Sequence, residues 1–537
     1  MKRSLINRLL ILVAWLTPAA ACVYALVLVR RLTDIAGQLT WNADYVSQMA
    51  MAESAGSGGL PARAVIIQIG YFWLDLATYL VPAHRLLWEF GPAAMGLATV
   101  ALVAWSAGRL AGRFAGLLAA SLAVAASPLV LSTELAQAYH GSTWFAAAAL
   151  GAYLCWLMTT GASRGLLVAV SSVVALVVGL ATASDPLLIA VGDLPFAAAI
   201  VVAWRTAPPA TRSPHVVAGA ASLVSAAGLA AAASLIERLA GFGSSFPRGL
   251  THVVTPAHLA GNMHQFITGV FEVAGMPHGG SALGLVLGLL LVAGVLVPLA
   301  QLVVSVRRPV DQARFAVIAY WSASAVFVAG AFILSDVPAD FLENSARYLV
   351  SLFFVGAAAV PMWAAASPRR AAALALPAAV LILANAAAVE HDATTGAFEP
   401  SFSFALDEPI SFLEAHGLTH GYAAYDEASP MSWKSGFALH VYPVTELFVA
   451  PGDLCGPPSP GRVCPYAYNS FSSWYEGKGG PTFILVDPYM VRLGQPPPDA
   501  LDTPTGVYQV GRFRIYVYPD DVASHMGMPE RFTRPLI

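Results

Sequence analysis

About eleven apolar spans run through residues 9–389, and every second loop between them carries arginine. A segment crossing hydrocarbon must bond all its own backbone N–H and C=O groups, so spans of this kind fold as helices. They fall at approximately 9–29, 91–107, 114–131, 143–160, 165–183, 186–204, 215–236, 281–305, 315–334, 347–365 and 371–389. The arginine loops hold Arg109 and Arg113, then Arg164, then Arg205 and Arg212, then Arg307, Arg308 and Arg314, then Arg369 and Arg370. Arginine-rich loops stay in the cytoplasm. With Lys2, Arg3 and Arg8 ahead of the first span, the N-terminus is expected inside, and an odd number of crossings puts the C-terminal tail outside.

Composition agrees. The 537 residues are 57% hydrophobic and only 11% charged, with a mean hydropathy of +0.67. So few charges would not cover a soluble domain of this size. A net charge of −3 gives no basis for nucleic-acid binding. The N-terminus resembles a signal peptide, but its apolar run continues past Cys22 to Val29, long enough for a retained first helix. Residues 64–82 are apolar enough to cross. A crossing there would turn every later arginine loop outward and bury Asp75, so this stretch is expected as an amphipathic helix on the outer face. The outer loops are then 30–90, 132–142, 184–185, 237–280 and 335–346, with no internal repeat or heptad run.

The expected architecture is mainly α. A polytopic bundle occupies 1–389 and a small extracytoplasmic α/β domain occupies 390–537. In the tail, Glu408–His416 reads as a helix, and Gly421–Tyr425, Phe483–Val486 and Arg512–Val517 read as strands, the last after a turn at Gly511. Cys455 and Cys464 flank a Gly/Pro-rich segment. Outside the cytoplasm they are expected to form a disulfide, with two unpaired thiols as the alternative.

The residues able to carry chemistry sit in the outer loops. Asp44, in Trp41-Asn42-Ala43-Asp44-Tyr45, can accept a proton from a hydroxyl, or cap a helix over Tyr45–Ala55. Glu134 and His140 share the second outer loop, between the third and fourth spans, and can orient a hydroxyl, but their spacing suits a metal poorly. Asp185 stands in the tight turn Ser184-Asp185-Pro186, where it either caps the following helix or faces a site. Asp193, two turns deeper, is expected to pair within the bundle. The loop 237–280 brings Arg248, His252, His258, His264 and His278. Their spacing matches no compact ligand motif, so contact with a polar substrate, or plain solvation, is the reading, and no metal or other cofactor is expected. Arg347 opens a late helix on the outer side, where its planar fork suits a phosphate and its stem suits snorkelling.

Taken together, the chain resembles the GT-C-type glycosyltransferases, a class that includes protein O-mannosyltransferases, the lipid A aminoarabinose transferase and actinobacterial arabinofuranosyltransferases. The resemblance rests on Asn42-Ala43-Asp44-Tyr45 after the first helix, the interface stretch 64–82, the pair Arg347-Tyr348 opening a late helix, and the outer C-terminal domain. It covers the whole chain in layout and few residues in sequence. Asp44 stands alone where many members have paired acids, and no oligosaccharyltransferase-type WWD sequence occurs.

The resemblance implies a donor of one sugar on a polyprenyl phosphate and an acceptor that is an envelope glycan, lipid or protein. Asp44 would be the catalytic base. Arg347 and Tyr348 would lie at the donor phosphate, with Glu134, His140, Asp185, His258 and His264 lining the substrate site, and reaction would invert the anomeric centre. Two other readings remain: a non-catalytic scaffold of the same fold, and a transporter or flippase of lipid-linked sugar. A transporter would place its polar groups near the midplane within inverted repeats.

Overall fold

The computed structural model describes residues 12–40, 85–135, 140–206, 214–239, 242–244, 254–275, 311–335, 345–398, 406–445, 463–466, 468–477, 479–487 and 503–526, with the single positions 10, 43, 46, 47, 49, 50, 53, 296 and 300. Among these are nine helices long and apolar enough to cross a membrane. Large apolar side chains cover their outer surface, including Leu26, Val29 and Val224, each more than two-thirds exposed. Water would not tolerate such a surface, and lipid favours it. The chain is a multi-pass membrane protein. The expected span 281–305, apart from positions 296 and 300, and the interface stretch 64–82 lie outside the described residues.

The first helix, α1 (Leu16–Leu39), and the last of the bundle, α12 (Pro368–Thr395), set the frame. Both belong to 28-residue apolar spans, about 42 Å at 1.5 Å per residue, against about 30 Å of hydrocarbon. They pack in parallel. Near their N-terminal ends the Thr17 hydroxyl donates to Ala375 O at 3.4 Å. Near their C-terminal ends Arg31 clamps Glu390 with two N–H bonds, Nε to Oε2 at 2.9 Å and Nη2 to Oε1. Beyond that, the Gln38 amide donates to Ala393 O at 2.8 Å and accepts from Phe398 N at 3.2 Å. Arg31 breaks the positive-inside pattern because Glu390 neutralises it. The first helix also runs ten residues past the expected end at Val29.

Between them run α2 (Arg85–Ala111), α3 (Arg113–Val124), α4 (Pro128–Leu135), α5 (Gly141–Thr159), α6 (Arg164–Ser184), α7 (Leu194–Thr206), α8 (Pro214–Leu239), α9 (Leu259–Val273), α10 (Gln312–Leu334) and α11 (Ser351–Ala364). Helix α11 is buried almost throughout and forms the centre of the bundle. The expected single span 114–131 is instead broken: α3 and α4 meet at 88°. Pro128 disfavours helical geometry at the residue before it, and Ser127 starts the new helix by accepting Val130 N at 3.2 Å. The freed carbonyls are bonded by neighbours, Ala125 O by Asn385 Nδ2 at 3.0 Å and Ala126 O by the Tyr24 hydroxyl at 2.8 Å. Gly275, at φ +90°, closes over the same point, where an added Cβ would meet Asn385 Oδ1 at 2.1 Å.

The loops sort to two ends as the arginine pattern predicts. At one end Arg109 reaches Thr159 O at 3.4 Å, Gln312 reaches Ala203 O at 3.1 Å and Arg314 reaches Met362 O at 2.9 Å. At the other end Asn262 bonds Ile333 O and Ser335 O at 3.0 and 2.8 Å. There, too, the strand β1 (Phe242–Ser244) pairs with β5 (Tyr468–Phe471) of the tail, and the Tyr425 hydroxyl donates to Ser47 Oγ at 3.2 Å. The first loop, the loop after α8 and the C-terminal domain therefore share one face.

The tail contains α13 (Asp407–Ala415), β2 (His420–Ala423), α14 (Tyr425–Lys434), β3 (His440–Thr445), β4 (Cys464–Pro465), β6 (Thr482–Val486), β7 (Gly506–Val510) and β8 (Phe513–Tyr518). Six strands form one sheet in the order β4-β3-β2-β6-β8-β7. The pairs β2–β3 and β2–β6 are parallel and the others antiparallel. The expected α/β domain is present, with one correction: the strand expected over Gly421–Tyr425 ends at Ala423, and Tyr425 opens α14. Alternation sorts the strand residues. Val441, Phe483, Leu485, Phe513 and Ile515 face a core shared with α13 and α14. Tyr442, Val444, Ile484, Tyr516 and Tyr518 face the other way and join the apolar cluster of the bundle. Cys455 lies outside the described residues, so the expected Cys455–Cys464 disulfide does too.

This arrangement predicts a labelling pattern. In a protein lacking its native cysteines, Asp34→Cys and Glu414→Cys should react with a membrane-impermeant maleimide from the same side, and Arg369→Cys only from the opposite side. Labelling of Glu414→Cys together with Arg369→Cys would contradict the parallel packing of α1 and α12.

Candidate functional site

Four of the separated sequence candidates meet at the face that carries the C-terminal domain, with a fifth joined to them through the backbone. Their backbone is fixed first. The orthogonal helix α4 ends at Leu135, immediately after Glu134. Gly141 opens α5 directly against it: a Cβ on Gly141 would stand 2.6 Å from Glu134 O and 3.2 Å from Thr133 O. No other residue fits there. The approach leaves His140 in the left-handed region, at φ 79°, one of two non-glycine residues with positive φ among the described residues. A bulky residue in that region is strained and persists only where its surroundings hold it.

Asp185 supplies that hold. One carboxylate oxygen, Oδ2, accepts from both His140 Nδ1 and the Thr143 hydroxyl. The other, Oδ1, accepts Leu187 N at 3.0 Å. Asp185 thus caps the turn that follows it and also ties His140 to Thr143. Burial pushes the Asp185 carboxyl upward, but the His140 ring beside it, the Thr143 hydroxyl and the Leu187 amide together hold it below the usual carboxylate range. With Nδ1 bonded to a carboxylate, His140 presents Nε2 to whatever lies beyond.

The imidazole also packs on aromatic rings. Its centroid lies 5.2 Å from that of Tyr348 and 6.0 Å from that of Trp144. Tyr348 in turn carries the Arg347 guanidinium, 5.1 Å from the ring centroid, with Nη2 bonded to the phenol oxygen at 3.2 Å. Asp185, His140, Tyr348 and Arg347 thus form one continuous row. The row is built from the turn before α7, the start of α5 and the 3₁₀ turn Ser345–Leu349. That turn corrects the expected helix start: Arg347 lies in 3₁₀ geometry, and α11 begins only at Ser351.

Polar atoms at this junction have been taken out of water without a protein partner. His140 Nε2, Glu134 Oε1, Trp144 Nε1 and Ser351 Oγ are all buried and unbonded among the described residues. Native proteins rarely leave such groups unmatched, and each calls for an explanation. The Glu134 carboxyl lies against Gly96 of α2, 3.8 Å from the position of a Cβ there. Sequence reading did not single out Trp144 or Ser351. Trp144 lies one turn after His140 and Ser351 three residues after Tyr348, the spacing that would have marked them.

The structure does not bring every candidate here. His258 bonds Thr255 Oγ1 at 2.9 Å, and both His258 and His264 are exposed. Both flank or lie on α9, which packs on the 3₁₀ turn, with Gly269 against Ala346 and Leu349. Asp193 accepts from Thr182 at 2.9 Å within a π-helical turn over Ile189–Asp193, the pairing expected for it. Arg248, His252 and His278 lie outside the described residues. So does Asp44, although its neighbours Ala43 and Val46 are buried. Among the described residues no three His, Cys, Asp or Glu side chains are grouped to hold a metal.

No family model and no curated protein matches the chain. Two crystal structures of ArnT from Cupriavidus metallidurans are similar to it, each at 15% identity. The apo state gives a TM-score of 0.42 over 95% of this chain and 99% of that one. The state bound to undecaprenyl phosphate gives 0.48 over 94% and 98%.

The Asp185 network predicts a pH-dependent contribution to stability. A carboxyl whose folded pKa lies below its unfolded one stabilises above the unfolded value and loses that stabilisation as pH falls through the folded value. Asp185→Asn should lower the unfolding temperature at neutral pH, by an amount matching roughly 2 kcal/mol for buried hydrogen bonds to a charged group. The gap to wild type should narrow on acidification. A constant gap from neutral to acid pH would contradict the assignment.

Proposed function

We propose that the protein is a GT-C-type glycosyltransferase that moves a single sugar from a polyprenyl-phosphate donor to an acceptor on the outer side of the membrane. The observation that carries this reading is the row Asp185–His140–Tyr348–Arg347, set where a membrane bundle meets a domain outside it, with unmatched buried polar atoms around it. A guanidinium is the side chain best suited to a phosphate. Unbonded buried donors and acceptors suit a ligand rich in hydroxyls. A lipid-linked donor needs both beside an apolar groove, and a site outside the cytoplasm needs no nucleotide-binding loop.

In this mechanism Arg347 binds the donor phosphate, Tyr348 supports the guanidinium from below, and Glu134 with His140 contacts the sugar or the phosphate. Asp44, in the first loop, takes the proton of the acceptor hydroxyl as its oxygen attacks the anomeric carbon, and the configuration inverts. The phosphate leaves with its lipid, its growing charge stabilised by Arg347. The acceptor is an envelope glycan, lipid or protein, and the C-terminal domain, seated over the first loop through Tyr425 and Ser47, borders its approach. The N-terminus is cytoplasmic and the C-terminal domain extracytoplasmic.

Two substitutions test this reading. Arg347→Lys keeps the charge and loses the fork, so it should raise the apparent KM for a polyprenyl-phosphate-linked sugar about tenfold or more while the protein remains folded. Asp44→Asn should bind the donor normally and lose transfer by roughly 100-fold or more, because Asn caps a helix about as well as Asp but takes no proton at neutral pH. Near-normal transfer by Asp44→Asn would move the base to another carboxylate. Tight polyprenyl-phosphate binding by a wild-type protein that transfers nothing would favour the scaffold.

A further inference from the structure

We infer that His140, oriented by Asp185, is the general acid of this transfer, handing the proton on Nε2 to the phosphate oxygen that leaves the sugar. This rests on the glycosyltransferase reading and adds to it a proton donor on the leaving-group side, opposite the base.

The geometry carries the assignment in three steps. First, His140 is not a casual loop residue. It keeps a left-handed backbone, and the glycine after it is pressed onto the Glu134 carbonyl, so the ring position is set by the junction of α4 and α5. Second, one nitrogen is committed. Nδ1 bonds Asp185 Oδ2, and Asp185 is itself fixed by Thr143 and by Leu187 N at 3.0 Å. That pairing defines the tautomer. Third, the remaining nitrogen is buried and has no protein partner among the described residues. Its ring shares Tyr348 with Arg347, the cation assigned to the phosphate. The ionisable groups facing His140 are Asp185 from the turn before α7, and Arg347 and Tyr348 from the 3₁₀ turn. Glu134 adjoins through its backbone.

The step balances as follows. The acceptor oxygen forms the bond to the anomeric carbon, and its proton passes to Asp44. The bond from the anomeric carbon to the phosphate oxygen breaks, and its electron pair stays on that oxygen. Nε2 gives its proton to the same phosphate, which departs as the monoanion of the polyprenyl monoester. His140 ends neutral, Asp44 ends protonated, and solvent restores both.

The test uses the full-length protein in detergent with a panel of polyprenyl-phosphate-linked hexoses and pentoses, and it reads rate against pH. A general acid must be protonated, so its loss removes the alkaline limb of the profile, whereas loss of a base removes the acid limb. His140→Asn is the first variant because Asn tolerates the left-handed backbone, and His140→Gln is the second. Both should bind polyprenyl monophosphate within a few-fold of wild type, lose kcat by roughly 100-fold or more, and retain only the acid limb. Asp185→Asn, which removes the positioning carboxylate, should lower kcat while leaving the KM for the donor within a few-fold of wild type. A retained alkaline limb in both His140 variants would overturn the proposal, as would loss of the acid limb in its place. If the wild type transfers no sugar from the panel, the glycosyltransferase reading fails and this one with it. A wild type that transfers while the His140 variants keep its full pH profile sinks this proposal alone.

Discussion

A backbone carbonyl inside a bilayer has no water to bond, and the break between α3 and α4 frees such carbonyls about 18 Å into the membrane, counting twelve residues from Arg113. Two side chains answer for it, Tyr24 on the first helix and Asn385 on the last. Without them the right-angle turn at 125–127 would leave buried polar groups unmatched, at a cost of a few kcal/mol each. With them, α4 runs across the bundle instead of through it. Glu134 then comes to rest under Gly141, and His140 comes within reach of Asp185. The site therefore depends on the parallel packing of α1 and α12, although neither helix supplies a residue to the row.

The same pair of helices ties the two domains together. Each is longer than the hydrocarbon is thick, so their ends emerge side by side, joined by Arg31 and Glu390 and by the Gln38 amide. The tail leaves from that emergent end. Its sheet turns one aliphatic face to its own helices and a tyrosine-rich face to the bundle. Aromatic side chains with a polar tip suit a boundary between a dry interior and a wet surface. The Tyr475 hydroxyl, for example, stays in the core by bonding Pro443 O at 2.5 Å.

Charge is placed economically throughout. Arginines on the arginine-loop face bond the carbonyls at helix ends, where the macrodipole favours them. On the opposite face several ionisable groups are held by partners. Arg31 meets Glu390, His140 meets Asp185, and Arg347 rests on Tyr348. Such groups are costly at the membrane boundary unless paired or used, and the row at His140 does both.

Much of the architecture was legible in the sequence because hydrophobic length and arginine placement act locally and additively. Each span declares itself by about twenty apolar residues, and each loop by its own charges, so most of the spans and the tail domain followed with no knowledge of packing. Asp185 and His140 were visible only as two separate polar residues, 45 positions apart. Their union needed the right angle at Ser127, the tight Gly141 contact and the turn at Pro186 to act together, and none of these is written in periodicity. The same reason explains the misjudged span 114–131: its composition is that of a crossing helix, and only the partners at Tyr24 and Asn385 make a break affordable. It explains Arg347 as well, since type and position suggested phosphate and the pair with Tyr348 was visible, but the histidine packed on that tyrosine is a product of tertiary contact. Sequence determined that the chain lies in a membrane and which polar groups lie in the loops between its spans. Tertiary structure decided which of them meet, because meeting depends on how helices distant in sequence satisfy one another's backbone.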